Sequence, residues 1–540
     1  MRIKIFSVCG SMDVLQDQWK EMLPVIEGLI RGCDFLALDM EFTGLHSLAP
    51  GQQPSLFDCA SDWYKKARRS VQTFSVCQIG LSTFCKQDCN RFVAHSFNFY
   101  LFPTTFARMD SEFSIQMSSA VFLSGFGFDF NKFLKEGIPY MNEEQEARFL
   151  YDYRQGNWRV HSVLEKDSLK KAIEQVTSWV TSASIGDTII LQDIKGFQQY
   201  NVQLVLRQAL PDVWTMPLGD EVIVQKVLPR QRWQMERNNL NQCSKEQVLI
   251  SALGFTIIFR AIVAAKKPLV GHNMLMDLLH LHDKFYRPLP GCYEEFKKNI
   301  HTLFPVIIDT KTVVKAVWKE LQFPRAGNLV EVNNLLNSNL NPALPSSPLI
   351  IHAPNCSKYA QDECPHEAAY DAFVCGSVLV KLCHILLVKH QMEMEDPQRP
   401  FSRYMDVIAD HVNQVNLIRA GVSHINFSGE DILSRRPPVL LVSIQGWPRV
   451  DEEQLYREFK TICSLDVKRL GERRFLLLVT KFKGMRAIRQ EYKNHPHLRV
   501  CKYGYWKHSS LVNCILRVCG VLLTWSAVAF ALGSSPTCEM

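Results

Sequence analysis

Five side chains could cooperate in phosphodiester chemistry if the fold brings them together. Asp39 and Glu41 stand two apart at the end of an apolar run, residues 35–38. On a strand, positions i and i+2 share a face, so both carboxylates can meet one ion. Two acids beside a buried strand repel each other and are costly to desolvate unless a cation neutralises them. Asp277 follows the strand-like run PLVGHN, residues 268–273, with Asn273 placed to cap the next helix. His366 and Asp371 open the last long helical pattern, directly after Pro365. Taken singly, each has an ordinary explanation: D-x-E is common by chance, a first-turn acid suits the helix dipole, and a His at a helix start is often solvated. Asp371 is less comfortable as a surface acid, because Ala368, Ala369, Ala372 and Phe373 surround it. Taken together, the order D-x-E, D, H-x4-D fits two divalent cations about 3.5–4 Å apart clamping the attacking and leaving oxygens of a phosphodiester. Hard oxygen ligands suit Mg2+, for which Mn2+ can substitute. A His near neutral pKa could take a proton from the attacking water.

A rival metal reading uses His352, Cys356, Cys364 and His366 as a zinc set. Its spacing matches no standard zinc motif, and it competes for His366.

These residues need an α/β scaffold. Residues 19–31 have the apolar face of an amphipathic helix, and 35–38, 73–84 and 95–103 read as strands. A polar loop with Lys65, Lys66, Arg68 and Arg69 separates the first two strands. Helical patterns fill 113–135 and 143–150. Residues 168–240 change character and read as a small inserted α/β unit. The α/β pattern resumes at 268–311 and ends in a helix at 366–390, after a Pro-, Ser- and Asn-rich loop at 340–365. Residues 392–400 form a linker, and 401–508 contain βαβ-like pieces. Residues 511–532 carry a single charge, Arg517, and are long enough to cross a bilayer. Lys502 and Lys507 precede that stretch and no Lys or Arg follows it, which keeps the N-terminal bulk cytosolic. The competing reading is a buried C-terminal helix.

Composition agrees with a large globular protein. The chain has 540 residues, 47% hydrophobic and 21% charged, which excludes wholesale disorder. Its net charge of +7 permits a nucleic-acid partner without demanding one. Seventeen Cys is an odd number at low density, so a reducing compartment is expected rather than a disulfide framework. The N-terminal stretch is too short in its apolar part for a secretory signal.

With these residues in view, the sequence resembles the DEDDh exonucleases, in particular the poly(A)-specific ribonuclease branch of the deadenylases. The resembling stretches are FLALDMEFTGL, FGFDFNKFLKEGIPYMNEEQE, GFQQYNVQLVLRQ, LVGHNMLMDLLHLHDKFYRPLP, FPVIIDTK and HEAAYDAF, in family order from about residue 33 to 380. The resemblance implies an RNase H-like α/β core in two parts, 1–167 and 241–390, with the insertion 168–240 as a degenerate single-strand-binding domain. It also implies an RNA-recognition-motif-like α+β domain at 401–508 and a transmembrane tail anchor at 511–532. The insertion lacks the Arg-x-x-x-His pattern of the family's single-strand-binding domain. Among the base-stacking aromatics of an RNA-recognition motif, the two central strands keep only Phe475. By resemblance, Asp39, Glu41, Asp277 and Asp371 are the metal ligands for two Mg2+ ions, His366 is the general base, and Phe42, His272 and Asn273 lie near the bound 3′ nucleotide. The hydrophobic tail is similar to the membrane-tethered branch of this family, which trims piRNA precursors in animal germ cells. That branch implies a 3′-to-5′ exoribonuclease that releases 5′-mononucleotides from single-stranded RNA. It also implies partnership with PIWI-family Argonaute proteins and a Tudor-domain adaptor; the related poly(A)-specific ribonuclease implies a homodimer, and a tail anchor suits the endoplasmic reticulum or the mitochondrial outer membrane. The alternative is a membrane-tethered RNA-binding scaffold without catalysis.

Overall fold

The computed structural model describes residues 12–47, 49, 51–87, 91–104, 111–155, 163–192, 194, 197–218, 221–237, 249–338, 348–356, 358–390, 401–446 and 450–533. The N-terminal stretch 1–11, the linker 392–400 and the tail 534–540 lie outside the described residues, as do 238–248 and 339–347. The chain divides into two compact units. One comprises Met1–Gln53, Tyr64–Leu417 and His424–Asp431; the other comprises Pro54–Trp63, Ile418–Ser423 and Ile432–Met540.

The first unit is built on a mixed sheet. Strands β1 (Asp13–Val14), β2 (Phe35–Phe42), β3 (Val76–Lys86) and β4 (Arg91–Tyr100) belong to it. Strands β5 (Thr188–Leu191), β6 (Val213–Leu218) and β7 (Glu221–Lys226) form a separate three-stranded sheet. Strands β8 (Leu269–Gly271), β9 (Ile307–Asp309) and β10 (Leu349–His352) return to the main sheet. Its order is β1-β4-β3-β2-β8-β9, with β10 also pairing β4. Strand β2 runs antiparallel to β3 and parallel to β8, so it is central. That position explains its unbroken apolar start, since Phe35, Leu36, Ala37 and Leu38 are all buried.

The helix Ala368–Lys389 crosses this sheet and buries most of its length against β2, β3, β4 and β8. Two glycines set the contact. A Cβ at Gly80 would lie 1.9 Å from the Ala368 carbonyl oxygen, and one at Gly376 would lie 2.2 Å from the Phe84 ring. Phe84 stacks on Phe35 at 4.7 Å within the same core.

The small sheet carries its own core. Helices Val163–Ser182 and Phe197–Ala209 pack Val176, Val202 and Leu206 against Val213, Val222 and Val224. The segment with Lys65, Lys66, Arg68 and Arg69, expected as a loop, is the helix Ala60–Thr73. Ala60, Trp63, Tyr64, Ala67, Ser70 and Val71 are buried along it, recurring three and four apart. Strands β11 (Gln414–Asn416) and β12 (His424–Asn426) form an antiparallel pair.

The second unit runs β13 (Leu440–Ile444), helix Glu452–Lys460, β14 (Leu465–Gly471), β15 (Arg474–Val479), helix Phe482–Glu491 and β16 (Leu498–Lys502). Its antiparallel order β14-β15-β13-β16 is a split βαβ topology. The helix Ser510–Gly533 follows. Residues Leu511–Leu532 are long and apolar enough to cross a membrane, and their most apolar window is not buried at all.

Candidate active site

Strand β2 presents Asp39 and Glu41 half-buried at its end, where the register with β3 shifts between Glu41 and Phe42. Gly80 pairs directly with Asp39. Its lack of a side chain therefore seats the start of the helix Ala368–Lys389 beside the acidic pair. Gln78, also on β3, accepts the backbone N–H of Ala368 at 3.1 Å and fixes that helix end.

His366 and Asp371 do not share a helical face, as their five-residue spacing implied. The helix begins at Ala368, and His366 precedes it with a left-handed φ of 65°. That turn lets the His366 N–H donate to Asp371 Oδ2 at 3.1 Å, while His366 Nδ1 stands 3.9 Å from the same oxygen. The imidazole is held edge-on between Phe122 and Phe126, at 4.7 and 4.4 Å between ring centres.

Asp277 lies in the first turn of the helix Leu275–Leu281 and is buried. The expected cap by Asn273 does not form. Asn273 has φ of 61°, and its N–H donates to Asp309 Oδ1 at 2.9 Å. Asp309, at the end of β9, is fully buried. It also accepts the backbone N–H groups of Met274, Lys311 and Asn416. This knot pulls the loop after β8 into place and aims the Asp277 helix.

The electrostatics bind the four acids into one cluster. Burial, then the charges of Asp371, Asp277 and Glu41, push the Asp39 carboxyl well above the usual carboxylate range. Burial, then Asp371 and Asp277, does the same to Glu41. Burial raises Asp277 to about 7 against opposing backbone hydrogen bonds, one of them from Met40. Asp371 is likewise raised by burial to about 7, with the His366 backbone holding it down. Partial burial lowers His366, so it is neutral near pH 7.

Ligand atoms of Glu41, His366 and Asp371 all lie within 4.8 Å of one another. Asp39 and Asp277 stand outside that tight trio and join it through charge. Buried acids that raise one another in this way fit a divalent cation, whose charge would relieve them. The zinc set does not assemble. Cys356 is buried and exchanges hydrogen bonds with the Ser96 backbone. His352 stacks on Phe373 at 4.0 Å, and Cys364 turns toward the Asp362 carbonyl.

The three residues expected near the 3′ nucleotide have protein partners. Phe42 is buried and stacks on His280 at 4.3 Å. His272 Nδ1 pairs with Thr310 Oγ1 at 2.9 Å, while its buried Nε2 has no partner among the described residues. Burial lowers its pKa to about 3. The Asn273 side-chain oxygen Oδ1 accepts from Asn416 Nδ2. Sequence reasoning missed Asp309, Gln78, Phe122 and Phe126. Asp309 carried the same signal as Asp39, an acid ending an apolar strand run.

A model of the CAF1 family ribonucleases matches residues 14–379, a span that includes all four acids and the histidine. The chain belongs to the CAF1 ribonuclease family. It is 55% identical over 527 residues to the poly(A)-specific ribonuclease PNLDC1 of Mus musculus, covering 97% of this chain and 99% of that one. It is 29% identical over 526 residues to the pre-piRNA 3′-exonuclease trimmer of Bombyx mori, covering 92% and 94%. The poly(A)-specific ribonuclease PARN of Xenopus laevis is 28% identical over 494 residues, covering 84% and 74%. The mixed α/β fold is thus that of a CAF1-type ribonuclease, and the enzyme is a 3′-to-5′ exoribonuclease.

Proposed function

We propose that this CAF1 ribonuclease shortens single-stranded RNA from a free 3′-hydroxyl and releases 5′-mononucleotides. The observation that carries the assignment of the site is the convergence of Asp39, Glu41, Asp277 and Asp371 with His366 at the edge of the cluster. Asp39, Glu41 and Asp371 are the residues to hold one divalent cation, and Asp39 and Asp277 the other. When bound, such ions lower the pKa of water and offset charge on the phosphate and the departing 3′-oxygen. Neutral His366 takes the proton of the attacking water. Its Nδ1 is turned toward Asp371, which leaves Nε2 for that task. Phe122 and Phe126 keep the ring in one orientation. Among the three residues assigned to the 3′ nucleotide, His272 is the best supplied, with an unpartnered Nε2; Phe42 and Asn273 frame it.

Precursors of piRNAs are the favoured substrate by the resemblance to the membrane-tethered branch, and the Bombyx mori trimmer supports this reading. Poly(A) is the second, from the relatives with that name. The strand order of the second unit supports an RNA-recognition-motif-like domain. The helix Ser510–Gly533 supports a tail anchor in the endoplasmic reticulum or outer mitochondrial membrane. Delivery of RNA by PIWI-family Argonautes and a Tudor-domain adaptor belongs to the same proposal, resting on the resemblance. A homodimer is supported by the exposed apolar side chains Met117, Val121 and Phe122. Digestion of a 5′-labelled single-stranded RNA by the full chain with Mg2+ tests the activity and its site. Wild type should yield a ladder shortening from the 3′ end, and Asp39→Asn should leave the RNA intact. Equal behaviour of the two proteins would return the scaffold reading.

A further inference from the structure

Residues 465–508 hold 12 Lys and Arg against 3 Asp and Glu, a net charge of +9, while the rest of the chain sums to −2. Among them Arg499, Lys502 and Lys507 are exposed. An RNA-recognition motif would use the sheet face opposite its helices, yet the β14 side of that face is covered by the protein's own chain. Asp466 accepts the Leu56 N–H at 2.6 Å and the Ser55 hydroxyl at 3.0 Å, and pairs with Arg419. Lys468 lies over the Phe57 ring at 6.0 Å. Leu441 and Leu478 are buried on this face, although they alternate with the residues that pack under the helices. Phe475, the one aromatic expected to stack on a base, is fully buried in the helical core. Strand alternation turns it inward with Leu477 and Val479.

The charge surplus therefore adjoins no base-stacking platform. It adjoins the apolar helix instead. Arg474 and Arg499 flank Ser443 on one rung of the sheet, and Arg474 donates to the carbonyl of His508, two residues before that helix begins. Between them, Tyr505 is 55% and Trp506 is 78% exposed. Paired aromatics and cations just ahead of a membrane span mark the headgroup level.

We propose that the basic edge of the second unit next to the helix, carrying Arg474, Arg499, Lys502 and Lys507, is a docking face for an anionic lipid surface, seated on phosphatidylserine-type headgroups. The inference rests on the reading of Leu511–Leu532 as a membrane span. Clustered Lys and Arg next to a span attract acidic lipids over a Debye length, about 8 Å at physiological salt. Bound this way, the domain orients the enzyme at the membrane instead of gripping RNA.

Hydrogen exchange of the full chain in nanodiscs tests it. Amides of residues 499–508 should exchange about tenfold more slowly in discs containing phosphatidylserine than in phosphatidylcholine discs, since each Lys or Arg at such a surface contributes roughly fivefold. The protection should vanish in an Arg499→Gln, Lys502→Gln, Lys507→Gln variant whose exchange elsewhere is unchanged. Equal exchange in both discs overturns the proposal. So does protection of these amides by single-stranded RNA in phosphatidylcholine discs with none from phosphatidylserine. Extraction of the full chain from phosphatidylcholine vesicles by alkaline carbonate is a separate readout, and release there would refute the span itself.

Discussion

His366 owes its position to a residue-level anomaly, a left-handed φ at a side chain with a Cβ. Few non-glycine residues adopt it, and here it folds the backbone N–H onto Asp371. The imidazole then sits at the rim of the acids with a lowered pKa, neutral and ready to accept a proton. Truncation by His366→Ala should lower kcat about 10²- to 10⁴-fold with little change in KM, read from single-turnover digestion of a labelled RNA. The acids make a second prediction. Asp277 and Asp371 rise from 3.8 to about 7, so between those values the folded state holds more protons than the unfolded chain. Stability of the metal-free protein must then fall as pH rises through that window. Melting of the metal-free protein should drop by several degrees from pH 5 to pH 8. Mg2+ or Mn2+ should raise it more at pH 8, where no proton has to be displaced. A melting curve indifferent to both pH and metal would break the cluster apart.

At the scale of elements, the site depends on how closely the helix Ala368–Lys389 approaches β3. Gly80→Ala would drive a methyl into the Ala368 backbone, where no flexible side chain can yield. It should cost about 1–3 kcal/mol and move Asp371 away from Asp39, so thermal denaturation and kcat should fall together. Asp309→Ala strips four backbone N–H groups of their acceptor in a dry interior. Each loss costs about 1–3 kcal/mol, and a differential scanning trace should show a markedly lower transition. The sequence made β2 legible because a central strand buries both faces, and it made the long helix legible because nearly all its sides are apolar. The Asp309 knot was hidden because Asn416 reaches it from more than 100 residues away. Asn273 resembled a cap because residue type says nothing of a positive φ. The helix Ala60–Thr73 reads as a loop in the sequence because the basic pairs Lys65–Lys66 and Arg68–Arg69 interrupt its apolar positions. The five site residues were readable as types, while the Phe122 and Phe126 walls around His366 arise only from the fold.

At the scale of the whole molecule, two helices among the described residues are long and apolar enough to span a membrane, and burial alone separates them. Ala368–Lys389 is 72% buried over its most apolar window, whereas Leu511–Leu532 is 0% buried there. Leu522 and Leu523 are 61% and 71% exposed, an arrangement costly in water for so long an apolar surface and natural in lipid. Placing Asp at both positions should weaken insertion by about 2.5–3.5 kcal/mol for each substitution. The variant should move from the carbonate-resistant membrane fraction to the supernatant, yet keep wild-type kcat on a short RNA in detergent. The same charge introduced in the other helix, as Val378→Asp, falls in the core beneath β2 and β3 and should abolish folding and activity together. Loss of activity in the Leu522→Asp, Leu523→Asp variant would mean that this helix packs on the enzyme rather than in a bilayer.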